Sequence, residues 1–426
     1  MNYPTLILIL DGVGDESHQI LNAQTPLQAA SLPNLDWLAK TGQCGQVDPV
    51  KPGAIPSTTE GTLGILGYDP LVYSIGRGVM EAFGAGISLE SGDVALRGNF
   101  ACLAEDNRIQ DRRAGRIRDG TSQLIDSLEK IPSSSDVEVI LGNGTEHRIA
   151  LVLRGKKLSD QIIGSDPKET NANSYRITPY ATNNDDTNAQ RTAFILDQFE
   201  RASQNVLSKH PLNRDRIQNG FVPANAILTR DPGKSASLPP ISVRERAIRG
   251  IFISGDKTVL GLAKMADLES VSSPLMTGNL DTNLSAKFEA ALGNLDQTDL
   301  VVIHIKGCDI AAHDRRPRAK RDFLMKIDRE LGQFLEKWGE DRLLRIGIIG
   351  DHGTSSKKGC HISDPVPVII HHPELPADSV DGYDEVKVAQ GGLGRFPGHQ
   401  FLEKLWYGNT FRNERWGEHT APLQTS

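Results

Sequence analysis

The sequence predicts an α/β protein in which helices flank a mainly parallel sheet, with a smaller α+β domain inserted into the larger one. Short continuous apolar runs rich in β-branched residues are typical of buried parallel strands. Amphipathic helical patterns separate several of these runs, as expected when parallel strands alternate with helices. The segment from about 92 to 240 differs, because Gly, Asn and Asp clusters surround two closely spaced runs. At 426 residues the chain is long enough for two to three domains.

The apolar runs give the strands in chain order. We expect strands at Thr5–Leu10, Val137–Leu141, Ile149–Leu153, Gly250–Ile253, Leu300–Ile305, Arg345–Ile349 and Val366–His371. The first run has no basic segment before it and no small-residue cleavage site after it, which favours a buried strand over a signal peptide. We therefore expect a cytoplasmic protein.

Helical periodicity gives the elements between the strands. We expect helices at Pro33–Lys40, Thr62–Leu66, Thr187–His210, Asn283–Leu292 and Pro317–Trp338. The last of these is highly charged, so we expect it to form a solvated outer face. Ser235–Pro240 has the composition of a linker. We therefore divide the chain into one domain of residues 1–90 and 241–426 and an inserted domain of residues 91–240.

Composition and charge exclude several classes of protein. Hydrophobic residues make up 38% of the chain and charged residues 24%, which is typical of a globular protein and not of a disordered one. The 47 Lys and Arg against 54 Asp and Glu give a net charge of −7, which indicates neither a nucleic-acid nor a membrane partner. The 4 Cys are scattered without a CxxC pair, so we expect free thiols in a reducing compartment.

Side chains that commonly ligate metals follow three predicted strands and occupy one nearby loop. They are Asp11, Asp309, His313, Asp351, His352 and His361. Each alone is more often a helix cap or an ordinary histidine, but ligands in open α/β sheets bind beyond the carboxyl ends of the strands. Three carboxylates and three imidazoles at one edge are enough for two metal ions. This mixture suits Mn²⁺ or Zn²⁺, with Mg²⁺ as a further candidate.

A hydroxyl nucleophile and a group of arginines complete the expected site. The turn at residues 56–62 carries Ser and Thr before a helix, where free N–H groups attract phosphate. The same residues fit a capping box, and both interpretations can hold together. The predicted inserted domain contributes guanidinium groups that match small anions such as a phosphorylated acid, although a charged surface loop is the alternative. These are Arg97, Arg112, Arg113, Arg116 and Arg154.

The order of these residues resembles the alkaline phosphatase superfamily and, within it, the archaeal-type cofactor-independent (2,3-bisphosphoglycerate-independent) phosphoglycerate mutases. Similar stretches run along nearly the whole chain. They include Thr25–Ala30, Leu66–Pro70, Asp111–Arg116, Lys306–His313 and Gly391–Arg395. The resemblance implies an alkaline-phosphatase-like sheet and a glycolytic isomerase, an intramolecular phosphotransferase that interconverts 2-phosphoglycerate and 3-phosphoglycerate through a phosphoenzyme intermediate.

The resemblance also implies roles for individual residues. One of two divalent ions would be held by Asp11, the nucleophile, Asp351 and His352, and the other by Asp309, His313 and His361. The domain of residues 1–90 and 241–426 would bind the metals, and the inserted domain would bind the substrate and close the site against water. The implied substrate-binding residues are Arg97, Asp111, Arg112, Arg113, Arg116, Arg154 and Lys306.

One segment departs from the family pattern. Where the family usually has a Ser-Asp-Thr-Ala-His type of sequence, this chain has Thr58-Thr59-Glu60-Gly61-Thr62. A count back from Gly67 without a gap places Thr58 at the position of the nucleophile and metal ligand. The alternative function is therefore a phosphatase or mutase of the same superfamily that acts on another phosphorylated or phosphonylated small acid. A non-catalytic binding protein is less expected, because all six other ligands are retained.

Overall fold

The computed structural model describes residues 3–73, 75–131, 136–168, 174–234, 238–241, 248–339 and 341–408. The strands are β1 (Thr5–Leu10), β2 (Gln43–Asp48), β3 (Val94–Leu103), β4 (Ile109–Asp111), β5 (Val137–Asn143), β6 (Arg148–Gly155), β7 (Ile162–Ile163), β8 (Tyr180–Ala181), β9 (Ala226–Lys234), β10 (Gly250–Ile253), β11 (Glu269–Val271), β12 (Leu300–Ile305), β13 (Arg345–Ile349), β14 (Gly353–Ser355), β15 (Cys360–Ile362), β16 (Val366–His371) and β17 (Gly394–Pro397). The helices are α1 (Pro33–Thr41), α2 (Thr58–Ile65), α3 (Arg77–Gly84), α4 (Thr121–Leu128), α5 (Thr187–Leu207), α6 (Pro211–Gln218), α7 (Lys257–Met265), α8 (Leu284–Asn294), α9 (Gly307–His313), α10 (Pro317–Trp338) and α11 (Phe401–Tyr407).

The described residues fall into two compact units. One takes in Met1–Ser74, Pro239–Asp256 and Ala266–Ser426, and the other takes in Ile75–Leu238 and Lys257–Met265. The second unit begins before residue 91, where we expected the inserted domain to start. The physical reason is that α3 packs on α7 so closely that a Cβ on Gly261 would lie 1.9 Å from the Met80 carbonyl oxygen. The expected linker at Ser235–Pro240 lies partly outside the described residues.

The first unit is built on an eight-stranded sheet, which confirms the predicted fold class. Its strand order is β11-β10-β12-β1-β13-β16-β2-β17. The strands from β11 to β13 are parallel, and β16 pairs antiparallel with both β13 and β2. The register places Leu10 beside Ile305 and Ile9 beside Ile349, so β1, β12 and β13 end at the same edge. The residues that follow these strands therefore emerge side by side.

Helices cover the sheet with amphipathic faces. In α10, Phe323, Ile327, Leu331 and Phe334 recur at helical spacing and are buried in the core. The expectation that this helix forms a solvated outer face is therefore correct for one side only. No helix in the described part of the chain combines the length and the apolar character needed to cross a membrane.

The second unit has its own antiparallel sheet and core. The sheet order is β4-β3-β6-β5, and β9 pairs with the other edge of β3. Apolar residues of α4 and α5, including Leu124, Leu128 and Leu196, join the core of this unit. β3 and β9 were not predicted, since Arg97 and Asn99 interrupt the apolar run of β3 and polar residues end β9.

Candidate metal centre

The loops after β1 and β13 are bonded to each other and to β12. Asp11 N donates to Ile305 O at 3.1 Å, and Gly12 N donates to Asp351 Oδ1 at 3.1 Å. Gly12 has a φ of +71°, and a Cβ there would lie 2.8 Å from the Asp309 Cα. Glycine is therefore required at this position by both conformation and space.

The six predicted ligands form two groups of three. Asp11, Asp351 and His352 are fully buried and make the first triad, and Asp309, His313 and His361 make the second. Within each triad the potential ligand atoms lie within 4.8 Å of one another. The rings of His352 and His361 stack with centroids 3.7 Å apart, so the two triads are adjacent.

The histidines of the second triad are oriented by backbone carbonyl groups. His313 Nδ1 lies 2.8 Å from Gly359 O, and His361 Nδ1 lies 2.8 Å from Pro56 O. Because a carbonyl oxygen only accepts, each Nδ1 carries the hydrogen, and each Nε2 keeps its lone pair for a cation. The two Nε2 atoms lie 3.2 Å and 3.6 Å from Asp309 Oδ1.

The electrostatics of the triads fit divalent cations. Asp11 Oδ1 and Asp351 Oδ2 are buried without a hydrogen-bond partner among the described residues. Burial and the neighbouring Asp11 charge raise the pKa of Asp351 to about 8. Burial and the positive charge of His352 lower the pKa of His361 to about 4, which favours the neutral imidazole that ligates metals. Buried carboxylates of this kind need a positive partner, and two divalent cations would supply it.

One positive partner is already present in the chain. Lys306 Nζ lies 2.7 Å from Asp11 Oδ2, 3.3 Å from Asp309 Oδ2 and 3.4 Å from Thr58 Oγ1. Burial opposes its charged form, but Asp11 and Asp309 outweigh burial and raise the pKa of Lys306 above its ordinary value. Lys306 is therefore a permanent cation that touches both triads and the Thr58 hydroxyl.

Ser57 and Thr58 have different surroundings at the start of α2. Ser57 Oγ donates to Glu60 Oε2 at 2.6 Å, and the Ser57 and Glu60 backbone N–H groups complete a capping box. Thr58 Oγ1 lies 3.1 Å from His352 Nε2. The helix begins at Thr58, four residues before the predicted start at Thr62. Of these two hydroxyl groups, that of Thr58 is therefore the one directed at the triads.

Two polar residues of the site were missed by the sequence analysis. His304 Nε2 lies 3.1 Å from Asp11 Oδ2, and His304 Nδ1 lies 3.2 Å from Ser254 Oγ. The sequence offers one signal for His304: it is two residues before Lys306, and residues two apart on a strand share a face. Thr354, two residues after His352, donates to Asp309 Oδ1 at 2.8 Å.

In the second unit, arginine side chains lie around the buried residues Arg97 and His147. Arg97 is buried, with Nε 3.2 Å from Glu81 Oε1, and burial and nearby Arg148 lower its pKa to about 9. Burial and the charges of Arg148, Arg113, Arg97 and Arg116 lower the pKa of His147 to about 2. This concentration of positive charge is suited to an anion. Arg148 was not among the predicted residues, nor was Arg230, which lies opposite Arg97 in the β3–β9 register.

The remaining predicted substrate-binding residues differ in their contacts. The Asp111 carboxylate accepts from the backbone N–H groups of Arg113 and Gly115, so it shapes the arginine loop. Arg112 Nη2 lies 2.7 Å from Asp166 Oδ2. Arg154 donates to Asp93 and the Ser88 carbonyl and lies 3.1 Å from Glu90 Oε1. Carboxylates therefore engage both Arg112 and Arg154, and both stay predicted substrate-binding residues.

Comparisons with known proteins show the family of this chain. The family model described as 2,3-bisphosphoglycerate-independent phosphoglycerate mutase matches residues 39–213. The chain is 37% identical to phosphoglycerate mutase 1 of this type from Archaeoglobus fulgidus, covering 94% of this chain and 96% of the relative. It is 38% identical to the relative from Methanopyrus kandleri, covering 94% of this chain and 95% of the other.

Solved structures give the same result. A protein from Pyrococcus horikoshii superposes with a TM-score of 0.80 at 29% identity, covering 95% of this chain and 97% of the other. The cofactor-independent phosphoglycerate mutase from Thermoplasma acidophilum superposes with a TM-score of 0.64 at 31% identity, covering 95% of this chain and 99% of the other. The sequence-based resemblance is confirmed: this chain belongs to the 2,3-bisphosphoglycerate-independent phosphoglycerate mutase family.

Proposed function

We propose that this chain interconverts 2-phosphoglycerate and 3-phosphoglycerate through a phosphoenzyme, with Thr58 as the phosphoryl acceptor and two divalent cations, Mn²⁺ or Zn²⁺, as cofactors. The position of Thr58 Oγ1 carries the proposal, since it lies 3.1 Å from His352 Nε2 and 3.4 Å from Lys306 Nζ. The relatives that are 37% to 38% identical over nearly the whole chain support the choice of substrate.

The proposal divides the ligands between two cations. Asp11, Thr58, Asp351 and His352 would hold one cation, and Asp309, His313 and His361 would hold the other. Bound cations would lower the pKa of the Thr58 hydroxyl and offset the negative charge of the phosphoryl oxygens. Lys306 adds a fixed positive charge beside Thr58, and the free N–H groups at the start of α2 favour a phosphate on this residue.

The proposed transfer consumes no co-reactant. Thr58 Oγ1 forms a bond to phosphorus while the ester bond to the glycerate oxygen breaks, and the proton that Thr58 loses ends on that oxygen. The reverse transfer to the other glycerate hydroxyl restores Thr58. Arg112, Arg113 and Arg116, in a loop shaped by Asp111, are proposed to bind the anionic groups of the substrate together with Arg97 and Arg154. Exclusion of water would keep the phosphoenzyme from being hydrolysed.

The test is to incubate the purified protein with Mn²⁺ and 3-phosphoglycerate and to measure 2-phosphoglycerate and free phosphate. We expect 2-phosphoglycerate to approach its equilibrium fraction with little free phosphate. The reaction should stop on addition of a chelator and resume with excess Mn²⁺. Absence of 2-phosphoglycerate from folded, metal-loaded protein would contradict the proposal.

The replaced neighbourhood of the acceptor favours a second candidate. Thr59 and Thr62 are buried hydroxyl residues where the family usually has Asp and His, and Thr62 Oγ1 donates to Thr58 O at 2.7 Å. These hydroxyls supply neither the charge nor the basicity of the usual pair. Free phosphate formed faster than 2-phosphoglycerate would identify a phosphatase. Formation of neither product would favour a phosphatase or mutase with another phosphorylated or phosphonylated acid as its substrate.

A further inference from the structure

We infer that Thr354 is a positioning residue that joins the two triads through one directed chain of hydrogen bonds, from His352 through the Thr354 hydroxyl to Asp309. This inference rests on the two metal sites of the proposed function and deepens it. Thr354 is fully buried in the short strand β14. Its Oγ1 lies 2.8 Å from Asp309 Oδ1 and 3.0 Å from His352 Nδ1, so it contacts one member of each triad.

The direction of the chain follows from counting hydrogens. The Asp309 carboxylate only accepts, because Lys306 and the histidines around it favour the ionised form. The single hydroxyl hydrogen of Thr354 is therefore donated to Asp309. The Thr354 oxygen is left as an acceptor, so the contact with His352 requires a hydrogen on Nδ1. If a bound cation replaces the Nε2 proton, the ring is neutral with its hydrogen on Nδ1 and its lone pair on Nε2.

That lone pair is on the side where a cation would be bound. His352 Nε2 lies 3.3 Å from Asp11 Oδ1 and 3.5 Å from Asp351 Oδ2. In the second triad, carbonyl groups impose the same tautomer on His313 and His361. The Thr354 hydroxyl imposes this tautomer on His352. The same hydroxyl also fixes the rotation of the Asp309 carboxylate in the other triad.

Hydrogen bonds hold the backbone of Thr354 in place beside the two triads. Thr354 N donates to Gly14 O at 2.9 Å. The buried Lys320 Nζ donates to Thr354 O and to Gly14 O, both at 3.0 Å. Space for the hydroxyl depends on Gly12, because a Cβ on Gly12 would lie 2.8 Å from Thr354 Oγ1. The loops after β1 and β13 are thus built around this one hydroxyl group.

The test compares Thr354→Val with Thr354→Ser by calorimetric titration of the metal-free protein with Mn²⁺ alone. Loss of a group that orients metal ligands typically weakens metal affinity by about 10- to 100-fold. We expect that loss at both sites in Thr354→Val and affinity within a few-fold of wild type in Thr354→Ser. The matched control is Thr229→Val, which removes a buried hydroxyl from Glu200 in the second unit. We expect this control to bind two Mn²⁺ ions with unchanged affinity.

Two results would overturn the inference. One is unchanged binding of both ions by Thr354→Val, and the other is an equal loss in Thr354→Ser, which would assign the effect to packing. If Thr354→Val does not fold, the test is ¹⁵N-histidine NMR of the Zn²⁺-loaded wild type, which shows which nitrogen of His352 carries the hydrogen. The His352 signal is assigned by its loss in His352→Gln. Hydrogen on Nδ1 of His352 supports the inference, and hydrogen on Nε2 refutes it. Neither measurement uses phosphoglycerate, so failure here is distinct from failure of the proposed activity.

Discussion

Thr58 Oγ1 lies 3.1 Å from His352 Nε2, whereas the hydroxyl of the preceding Ser57 is bonded to Glu60 within the cap of α2. Two adjacent hydroxyl residues therefore have separate environments. One lies against the first triad, and the other stabilises the helix start. The count back from Gly67 along the family pattern likewise favours Thr58 over Ser57 as the nucleophile.

We predict that Thr58→Ala abolishes phosphoryl transfer and that Thr58→Ser retains or improves it, because serine keeps the hydroxyl without the methyl group. Ser57→Ala should lower the free energy of unfolding by about 1 kcal/mol through loss of the cap while keeping transfer. The measurements are turnover with 3-phosphoglycerate and denaturant unfolding. The assignment is wrong if Ser57→Ala is inactive and Thr58→Ala is active, with both variants folded and metal-loaded.

The metal content of the purified protein should be close to two divalent ions per chain at saturating Mn²⁺. His361→Ala should lower this number, because it removes one of the three ligands of the second triad. His371→Ala is the control, since that ring packs near Trp37 at a centroid distance of 5.6 Å. Elemental analysis after gel filtration gives the count. Wild-type protein without metal under these conditions would contradict the two-ion site.

Much of the fold was predictable because its central strands are uniformly buried. Five of the seven expected strands have the expected bounds, and β5 and β6 extend beyond theirs. A strand was not predicted where a charged residue of the site lies within it. Arg97 lies inside β3 and also takes part in the guanidinium cluster, so β3 does not read as a strand. The antiparallel direction of β16 was not predictable either, since an apolar run carries no information on direction.

The site was predictable where its residues cluster in the sequence. Asp351 and His352 are adjacent, and Asp309 and His313 share one helix face, so a short window reveals each pair. His304 and Thr354 bond to ligands without being ligands themselves, and a lone polar residue has no distinctive spacing. Arg230 lies opposite Arg97 because β9 pairs with β3, two strands that are far apart in the sequence. A short sequence window therefore does not reveal this pair.

We predict that Arg116→Ala weakens substrate use while leaving metal content unchanged. Loss of one bidentate contact to a desolvated anion costs about 2–5 kcal/mol of complex stability, so KM should rise more than kcat falls. The control is Arg191→Ala, which removes an exposed pair with Asp136 and should alter neither quantity. Unchanged kinetics in Arg116→Ala would assign this loop to the solvent-exposed surface.

Because of Lys287, the free energy of unfolding should increase as the pH rises from about 8 to 10.5. Its ammonium is buried and donates to His304 O at 3.0 Å, and burial lowers its pKa to about 8 from the ordinary lysine value of 10.5. Between these values the unfolded chain binds the proton and the folded chain does not, so stability rises with pH. Below about 8 both states are charged, and the cost of the buried charge is fully present.

The measurement is urea unfolding of chelator-treated protein at pH 7.5 and pH 10, in wild type and Lys287→Met. The wild type should gain about 2.4 kcal/mol relative to the variant over this interval, at 1.36 kcal/mol per pKa unit. Other titrating groups are common to both proteins and cancel in the comparison. Parallel pH profiles would show that Lys287 is not titrating in this range.

Gly61 should be intolerant of the substitution that normally stabilises a helix. Replacing Gly by Ala within a helix gains about 0.8–1.0 kcal/mol from backbone propensity alone. At Gly61, however, the new Cβ would lie 1.9 Å from the Asp351 carbonyl oxygen, a backbone atom that cannot rotate away. Gly61→Ala must therefore move α2 away from Asp351, which separates Thr58 from His352.

The matched control is Gly293→Ala in α8, where a Cβ would meet no atom within 4 Å. It should raise the free energy of unfolding by about 0.5–1 kcal/mol and leave turnover unchanged. Gly61→Ala should lower both the unfolding free energy and kcat, and the fall in kcat should persist at saturating Mn²⁺ because the acceptor itself is displaced. If Gly61→Ala is as stable and as active as Gly293→Ala, α2 does not depend on close contact with Asp351 to position Thr58.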